Sequence, residues 1–546
     1  MTHEGFTFNV WDDPWIRVVY PDGSRSLEGI GTVLAAAHSI SALADPSPLV
    51  VAGTHRLLAA IVQAIVQPHD LDDLEAIYRA GTLDQTKLDA FASQYRERFE
   101  LFHPTMPFLQ TGDVPVDGGT KPAKGQRNPW ADPKPISSLF SELPTETARI
   151  HYQHSTDTSH SLCPACCARG LVTIPAFASS GGAGIRPSIN GVPPFYVLPV
   201  GATLFESLVW SLMTPAYQPP SADQNLADQA IWNGPPTIAK NHQVSRVSYL
   251  ESLLFPARRM RLFPKYESRH CTHCGKHAAY TVSQLLFEMG HWANEQIGTW
   301  EDPFAAYRLP KGAKATETEV RPIRPEAGKA CWREYTGLLL VERDDLIRPR
   351  VVRQIAALID RGVLPTTHPL QFRTIGLLTD GKAKIFEWLD ESLDAPPALL
   401  NDPIAATLVH DALQLAQEGE DILSSTFDRH FRPSRSKAGK IEAKLTRFKT
   451  IRSRMLATFW ETLAPIFRQL IARLADSAQH DTALRAWATA VTRCGRTTFD
   501  ESAALVGERA EEMQARVEAT AECRRRFASK QADFVRTQGL EQEEHV

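Results

Sequence analysis

The hydrophobic and polar positions of this chain change rhythm near residue 395. Before that point short periodic segments alternate with Pro- and Gly-rich stretches. Trp15 to Tyr20 predicts a strand closed by the turn Pro21-Asp22-Gly23. Ile30 to His38 and the strongly apolar Leu49 to Gln67 predict helices, and Leu71 to Arg79 and Leu83 to Leu101 carry apolar residues at three- and four-residue steps. His103 to Pro135 predicts irregular structure. Val192 to Val200, Gly337 to Val341 and Gln371 to Leu378 predict strands, with helices at Leu204 to Met213 and Val351 to Arg361. From Asp402 onward Gly and Pro nearly vanish. Pro403 to Phe431, Lys440 to Ala475, His480 to Leu505 and Arg509 to Ala528 then predict four helices joined by short connections. The expected fold class is α+β: a mixed α/β domain over 1–395, followed by a C-terminal four-helix bundle over 396–546. No internal repeat is visible.

Composition narrows the class. The 546 residues are 43% hydrophobic and 22% charged, ordinary values for a globular chain. The start, Met1-Thr-His-Glu-Gly-Phe6, lacks a basic segment followed by an apolar run, so no signal peptide is expected. Leu49 to Val66 is interrupted by Thr54-His55-Arg56 and reads as a buried helix, so no membrane partner is expected. A net charge of −4 argues against a general polycation, while local basic patches remain available for nucleic acid. One such patch runs from Arg429 to Arg454, with ten basic residues against the single acidic Glu442. Within it Lys437, Lys440, Lys444 and Arg447 recur at helical steps and suit a phosphate-tracking stripe; a solvated helix face is the plainer alternative.

The most specific chemistry lies in Cys163-Pro-Ala-Cys166 and Cys271-Thr-His-Cys274. Each Cys-x-x-Cys knuckle presents two thiolates from one turn, and two knuckles supply the four sulfurs of a closed tetrahedral zinc site. About a hundred residues separate them, against the fifteen to twenty of a compact ribbon, so the metal would tie the ends of a large insertion. Four buried cysteines or two redox pairs are the alternatives, and Cys167 or His273 stands close enough in sequence to replace a ligand. With eight cysteines in all, four of them in knuckles, a reducing cytoplasm is the expected compartment. Between the knuckles lies Gly181-Gly182-Ala183-Gly184, neither a phosphate-binding loop nor a dinucleotide fingerprint, which either admits a close backbone approach or is a plain turn. Trp292, Trp300 and Trp332 are expected in the core. No nucleophile, paired-acid or metalloprotease pattern emerges, so no enzyme is expected.

Taken together, several stretches resemble one family, the large subunit (CasA) of the type I-E CRISPR Cascade complex. They are Trp11-Asp-Asp-Pro-Trp-Ile-Arg-Val18, His103-Pro-Thr-Met-Pro-Phe-Leu-Gln110, the paired knuckles, the glycine loop running to Gly191 and the helical tail. The resemblance spans nearly the whole chain. It implies a subunit that binds CRISPR RNA and other Cascade subunits, recognises the protospacer-adjacent motif (PAM) of double-stranded DNA, begins strand separation and docks a helicase–nuclease. Such a reader needs only a short duplex tag, because guide pairing reads the rest. The resemblance places its glycine loop on Gly181, Gly182, Ala183 and Gly184, its wedge on Gly381-Lys382-Ala383, and an aromatic contact on Tyr152 with His154 nearby. The wedge carries Lys382 where glutamine is usual. The window expected to hold the family's lysine finger, Met289 to Asn294, contains no lysine, which leaves His291 or Asn294 as donor. A structural adaptor without DNA readout and a zinc-dependent nuclease are the rival functions.

Overall fold

A computed structural model describes residues 5–116, 133–141, 160–180, 184–227, 229–309, 320–326, 329–340, 346–365, 368–380, 385–432, 440–507 and 509–540, with the side chains of 440–445 outside that set. It is a mixed α/β structure with a helical C-terminal region. The chain divides into two compact units. The first comprises Met1–Pro325, Glu342–Leu364 and Gln371–Ser392, and the second Glu326–Val341, Pro365–Leu370 and Leu393–Val546. The second unit therefore takes in two short segments that lie before residue 395.

The first unit is built around the helix Pro48–Val66, nearly every residue of which is buried. Pro48 opens it at a position where the missing N–H costs nothing, and Gln67 ends it in the left-handed conformation. It is the one described helix long and apolar enough to span a membrane, and 83% of the relevant window is buried inside the protein. Several of its polar side chains find partners inside the unit. Gln63 donates to the Met213 carbonyl and accepts from the Met213 N–H, and His55 shares a 2.7 Å hydrogen bond with Ser211. Arg56 makes a two-pronged pair with Asp302 at 3.0 and 2.8 Å, with both side chains 1% exposed. Asn190 donates to the same carboxylate and to the hydroxyl of Tyr196.

Small sheets surround this helix. Ile16–Val19 sits between Arg25–Glu28 and Ala42–Leu43, all antiparallel. Thr281–Met289 pairs with Arg258–Lys265 over most of its length and with Lys134–Pro135 at its other edge. Gln371–Thr379 lies between Tyr196–Val200 and Ile385–Asp394. A short parallel ribbon joins His242–Val244 to His291–Ala293. Gly290 separates this ribbon from the long strand before it. A Cβ there would fall 2.4 Å from the Pro256 carbonyl, so only glycine allows the crossing.

The second unit contains the helices Pro403–Phe431, Lys440–Leu474, His480–Ala504 and Ala510–Thr537. Asp402 caps the first by accepting from the N–H groups of Ile404 and Ala405. Phe427, Phe459, Trp487 and Phe527 are buried among these helices. Arg333 lies 3.8 Å over the Trp460 ring and pairs with Glu420, which also accepts from the Trp460 indole N–H.

Two expectations change. Gly337 to Val341, expected as a strand, is helical over Tyr335–Leu339. A five-residue apolar run fits either element by pattern alone, and packing of Trp332 and Tyr335 on Phe467 decides it. The last helix runs on to Thr537 rather than ending near Ala528, because Phe534 still buries one face of an otherwise polar extension. Trp300 and Trp332 are in the core as expected, while Trp292 is only half-buried.

Replacing Asp302 by alanine strands the Arg56 charge in the core, and the expected loss is about 3–5 kcal/mol. A lower urea midpoint for the first unit's transition measures it; an unchanged midpoint would remove this pair from the account of the core.

Candidate metal centre and nucleic-acid interface

The Pro164–Phe177 helix starts at Cys163, with Pro164 in its first turn, and Cys166 follows one turn later. Opposite stands the turn Cys271–Gly275, framed by the two-residue strands Arg269–His270 and His277–Ala278. Gly275, at φ +74°, completes the reversal. The two parts are sewn together by backbone. Leu162 and Val282 exchange N–H···O bonds at 2.8 and 2.9 Å, and Thr272 donates its N–H to the Ser161 carbonyl.

This scaffold brings the sulfurs of Cys163, Cys166, Cys271 and Cys274 within 4.8 Å of one another. Two of the separations are 3.7 Å (Cys163–Cys274) and 3.6 Å (Cys166–Cys271). The edge of a tetrahedron with metal–sulfur bonds of roughly 2.3 Å is about 3.8 Å, so the spacing suits one cation. As bare thiols they do not behave alike: contact with Cys163 and Cys271, together with burial, drives the Cys166 thiol far above its usual range, while hydrogen bonds from Cys163 and Cys166 pull Cys271 well below it. A cation reverses that cost, and the N-terminus of the helix adds its own positive end. The set could hold a metal with every position taken by sulfur. Cys167 lies outside it, fully buried with its thiol raised well above the normal range by burial. His273 stacks on Phe140 at 4.6 Å and stands 3.6 Å from the Cys166 sulfur, alongside the four-sulfur set.

Both knuckles lead into a second constellation. The Pro164–Phe177 helix runs on through Ser179 and Ser180 toward the glycine loop, and the strand after the second knuckle runs through Gly290 into His291–Ala293. Gly181, Gly182 and Ala183 lie outside the described residues. Gly184 is exposed at φ +83° with no heavy atom near its would-be Cβ. The two flanks of the loop are clamped by Arg258, which donates to the carbonyls of Ser179 and, at 2.8 Å, Arg186. Arg258 is buried, and burial pulls its guanidinium down to about 10. The Arg186 N–H donates to the Met289 sulfur, and its guanidinium lies over the Trp292 ring at 3.6 Å.

His291 therefore stands one residue from the aromatic ring that backs the loop. Its ring packs edge-on against His242 at 5.1 Å, and burial, then His242, pulls it down to about 4. It is a neutral donor–acceptor near pH 7 rather than a cation. Asn294 lies just after the ribbon: its side-chain oxygen accepts the Gln296 N–H at 3.0 Å, and its side-chain amide N–H, the group that could donate, lies 3.5 Å from the Gln296 side-chain oxygen. The sequence singles out His291 as a candidate and gives no sign that Arg186, Arg258 and Trp292 form a unit, since nothing in their spacing signals that they meet.

Tyr152, His154, Gly381, Lys382, Ala383 and Lys437 lie outside the described residues. Lys440 and Lys444 fall on the Lys440–Leu474 helix, their side chains outside the described set. Arg447 is described, and it donates to the Leu505 carbonyl at 2.7 Å, at the end of the neighbouring helix. Arg452 pairs with Asp428 and Arg429 with Glu522, so part of the basic run is engaged in holding helices together.

The chain is thus a two-unit protein, mixed α/β and helical, with a four-cysteine centre. The family model for CRISPR-associated protein Cse1 matches residues 9–498, and the chain belongs to that family, also called CasA, of the type I-E Cascade. A curated relative, CRISPR-associated protein CasA/Cse1 of Thermus thermophilus, is 27% identical over 432 residues, 75% of each chain. The Cse1 crystal structure from Acidimicrobium ferrooxidans superposes with a TM-score of 0.76 at 22% identity, over 97% of this chain and 100% of that one. A chain of a CRISPR RNA-guided surveillance complex superposes with a TM-score of 0.68 at 19% identity, over 95% and 99%.

Protein purified without chelator is expected to carry one metal ion per chain, and Cys166→Ser or Cys271→Ser to lose it along with thermal stability. Elemental analysis alongside melting curves checks this; melting curves unchanged by strong chelation would mean the cluster holds no structural ion.

Proposed function

We propose that this chain is the Cascade subunit that recognises the PAM of double-stranded DNA, starts target unwinding and helps recruit a helicase–nuclease, itself carrying out no chemistry. The observation that carries the reading is the clamped loop. Arg258 holds both flanks of 181–184 beside a stacked Arg186–Trp292 pair and the neutral His291. A glycine-rich backbone can approach base edges closely, and one or two fixed donors suffice in the minor groove, whose acceptor pattern is degenerate.

In this reading CRISPR RNA and the other Cascade subunits are partners, as the fold shared with a chain of a surveillance complex supports. The metal is zinc, bound as a structural ion, because four thiolates fill its tetrahedral shell. The four C-terminal helices act as a bundle facing target DNA and neighbouring subunits, with Lys437, Lys440 and Lys444 toward phosphates. Gly381, Lys382 and Ala383, between the strands Gln371–Thr379 and Ile385–Asp394, form the wedge that intrudes at the first target pair. Tyr152 and His154 add contacts beside the tag. Free cysteines gathered for a metal fit a reducing cytoplasm.

Gly182→Trp in the assembled, guide-loaded complex is expected to weaken binding to tagged duplex at least tenfold, while binding to the same target as a single strand stays within twofold. Filter binding with both substrates checks this. Equal duplex affinity for the variant and the original would make the chain an adaptor that never reads DNA.

A further inference from the structure

Arg186 is exposed, and among the described residues no carboxylate meets it. Its environment is nevertheless built. The backbone N–H is taken by Met289 and the carbonyl by the buried Arg258, so both peptide groups are pinned. The guanidinium lies 3.6 Å from the centre of the Trp292 ring. Stacking covers one face of the guanidinium and leaves its edge of N–H donors open. Trp292 is held in turn by the parallel register of His291–Ala293 on His242–Val244, with Trp292 opposite Gln243. Two residues before Arg186, Gly184 offers bare backbone with open space around it. A planar, pre-oriented donor edge close to the bare backbone of Gly184 suits a ligand that carries acceptor atoms along a narrow edge. The minor groove presents such acceptors, N3 of adenine and O2 of thymine, at every A·T pair, and its narrow segments attract arginine.

We infer that Arg186, set in place by Trp292 and Arg258, reads the minor-groove acceptor edge of the duplex tag and determines which flanking bases are accepted. Arg186 touches the DNA; Trp292 and Arg258 are positioning residues. The inference rests on the duplex-recognition reading above and goes beyond it by assigning the discriminating donor to the return flank of the loop. Phosphate oxygens are acceptors too, and the two contacts differ in what they do to specificity and to salt dependence.

The experiment measures affinities of the assembled, guide-loaded complex for matched targets behind every combination of flanking bases, each at two salt concentrations. In R186A the ratio between best and worst flanks is expected to shrink by roughly 5- to 150-fold. R186K is expected to retain overall affinity while losing most of the preference, because a lysine lacks the planar edge. W292A should follow R186A, and W292F, which keeps an aromatic face, should retain most of the discrimination. The melting temperature of R186A should match that of the unaltered chain, since the side chain is exposed.

Uniform weakening of every flank with a shallower salt dependence would mean a phosphate contact and overturn the inference. So would an unchanged flank ratio in R186A while Gly182→Trp still abolishes duplex binding; in that case the duplex-recognition reading survives. Absence of any flank preference in the unaltered complex would overturn both.

Discussion

Four sulfur atoms within 4.8 Å of one another stand at the base of the two arms that flank the glycine loop. They join the first turn of one helix to a tight turn about a hundred residues further on. From the first knuckle the chain runs through the helix to the near flank of the glycine loop; from the second it runs along Thr281–Met289 to the ribbon holding His291 and Trp292. A tie at the start of both arms, and a second tie where Arg258 and the Arg186–Trp292 stack close them, makes a frame. The four sulfurs could hold one ion, which would tie the two arms at their start.

In the proposed function, that frame orders the described flanks of the loop. Recognition of a short tag needs small differences in contact geometry to become differences in affinity, so the reading groups must be ordered before the DNA arrives. The buried Arg56–Asp302–Asn190 network does the same service further along the chain, anchoring the segment that follows the loop to the core helix. Polar cores of this kind are costly unless paired, and here Arg56, Asp302, Asn190 and Tyr196 share most of their hydrogen bonds, while Arg56 Nε and Asn190 Oδ1 have no partner among the described residues.

Much of this was legible in the sequence. Cys-x-x-Cys spacing is a local signal, so the four-sulfur centre could be read from it, and long 3.6-residue periods marked the ends of the C-terminal helices closely, except that the last runs on to Thr537. Short apolar runs were not decisive: Gly337 to Val341 suited a strand until Phe467 supplied the packing surface. The contacts that organise the loop were invisible for a different reason. Arg186, Arg258 and Trp292 are far apart in sequence, and arginine beside carbonyls or over tryptophan leaves no periodic trace. Arg447 shows the reverse case. It fits a basic stripe by spacing, and the structure gives it the Leu505 carbonyl at the end of a neighbouring helix.

The central claim is that this chain supplies the DNA-tag specificity of a guide-loaded complex. A band-shift assay with that complex, assembled with and without the chain, on duplexes carrying a matched target behind a randomised flank, tests it most directly. Binding that requires the chain and enriches particular flanking bases in the shifted band is the predicted result. Binding that is equal for every flank, with or without the chain, would contradict the claim.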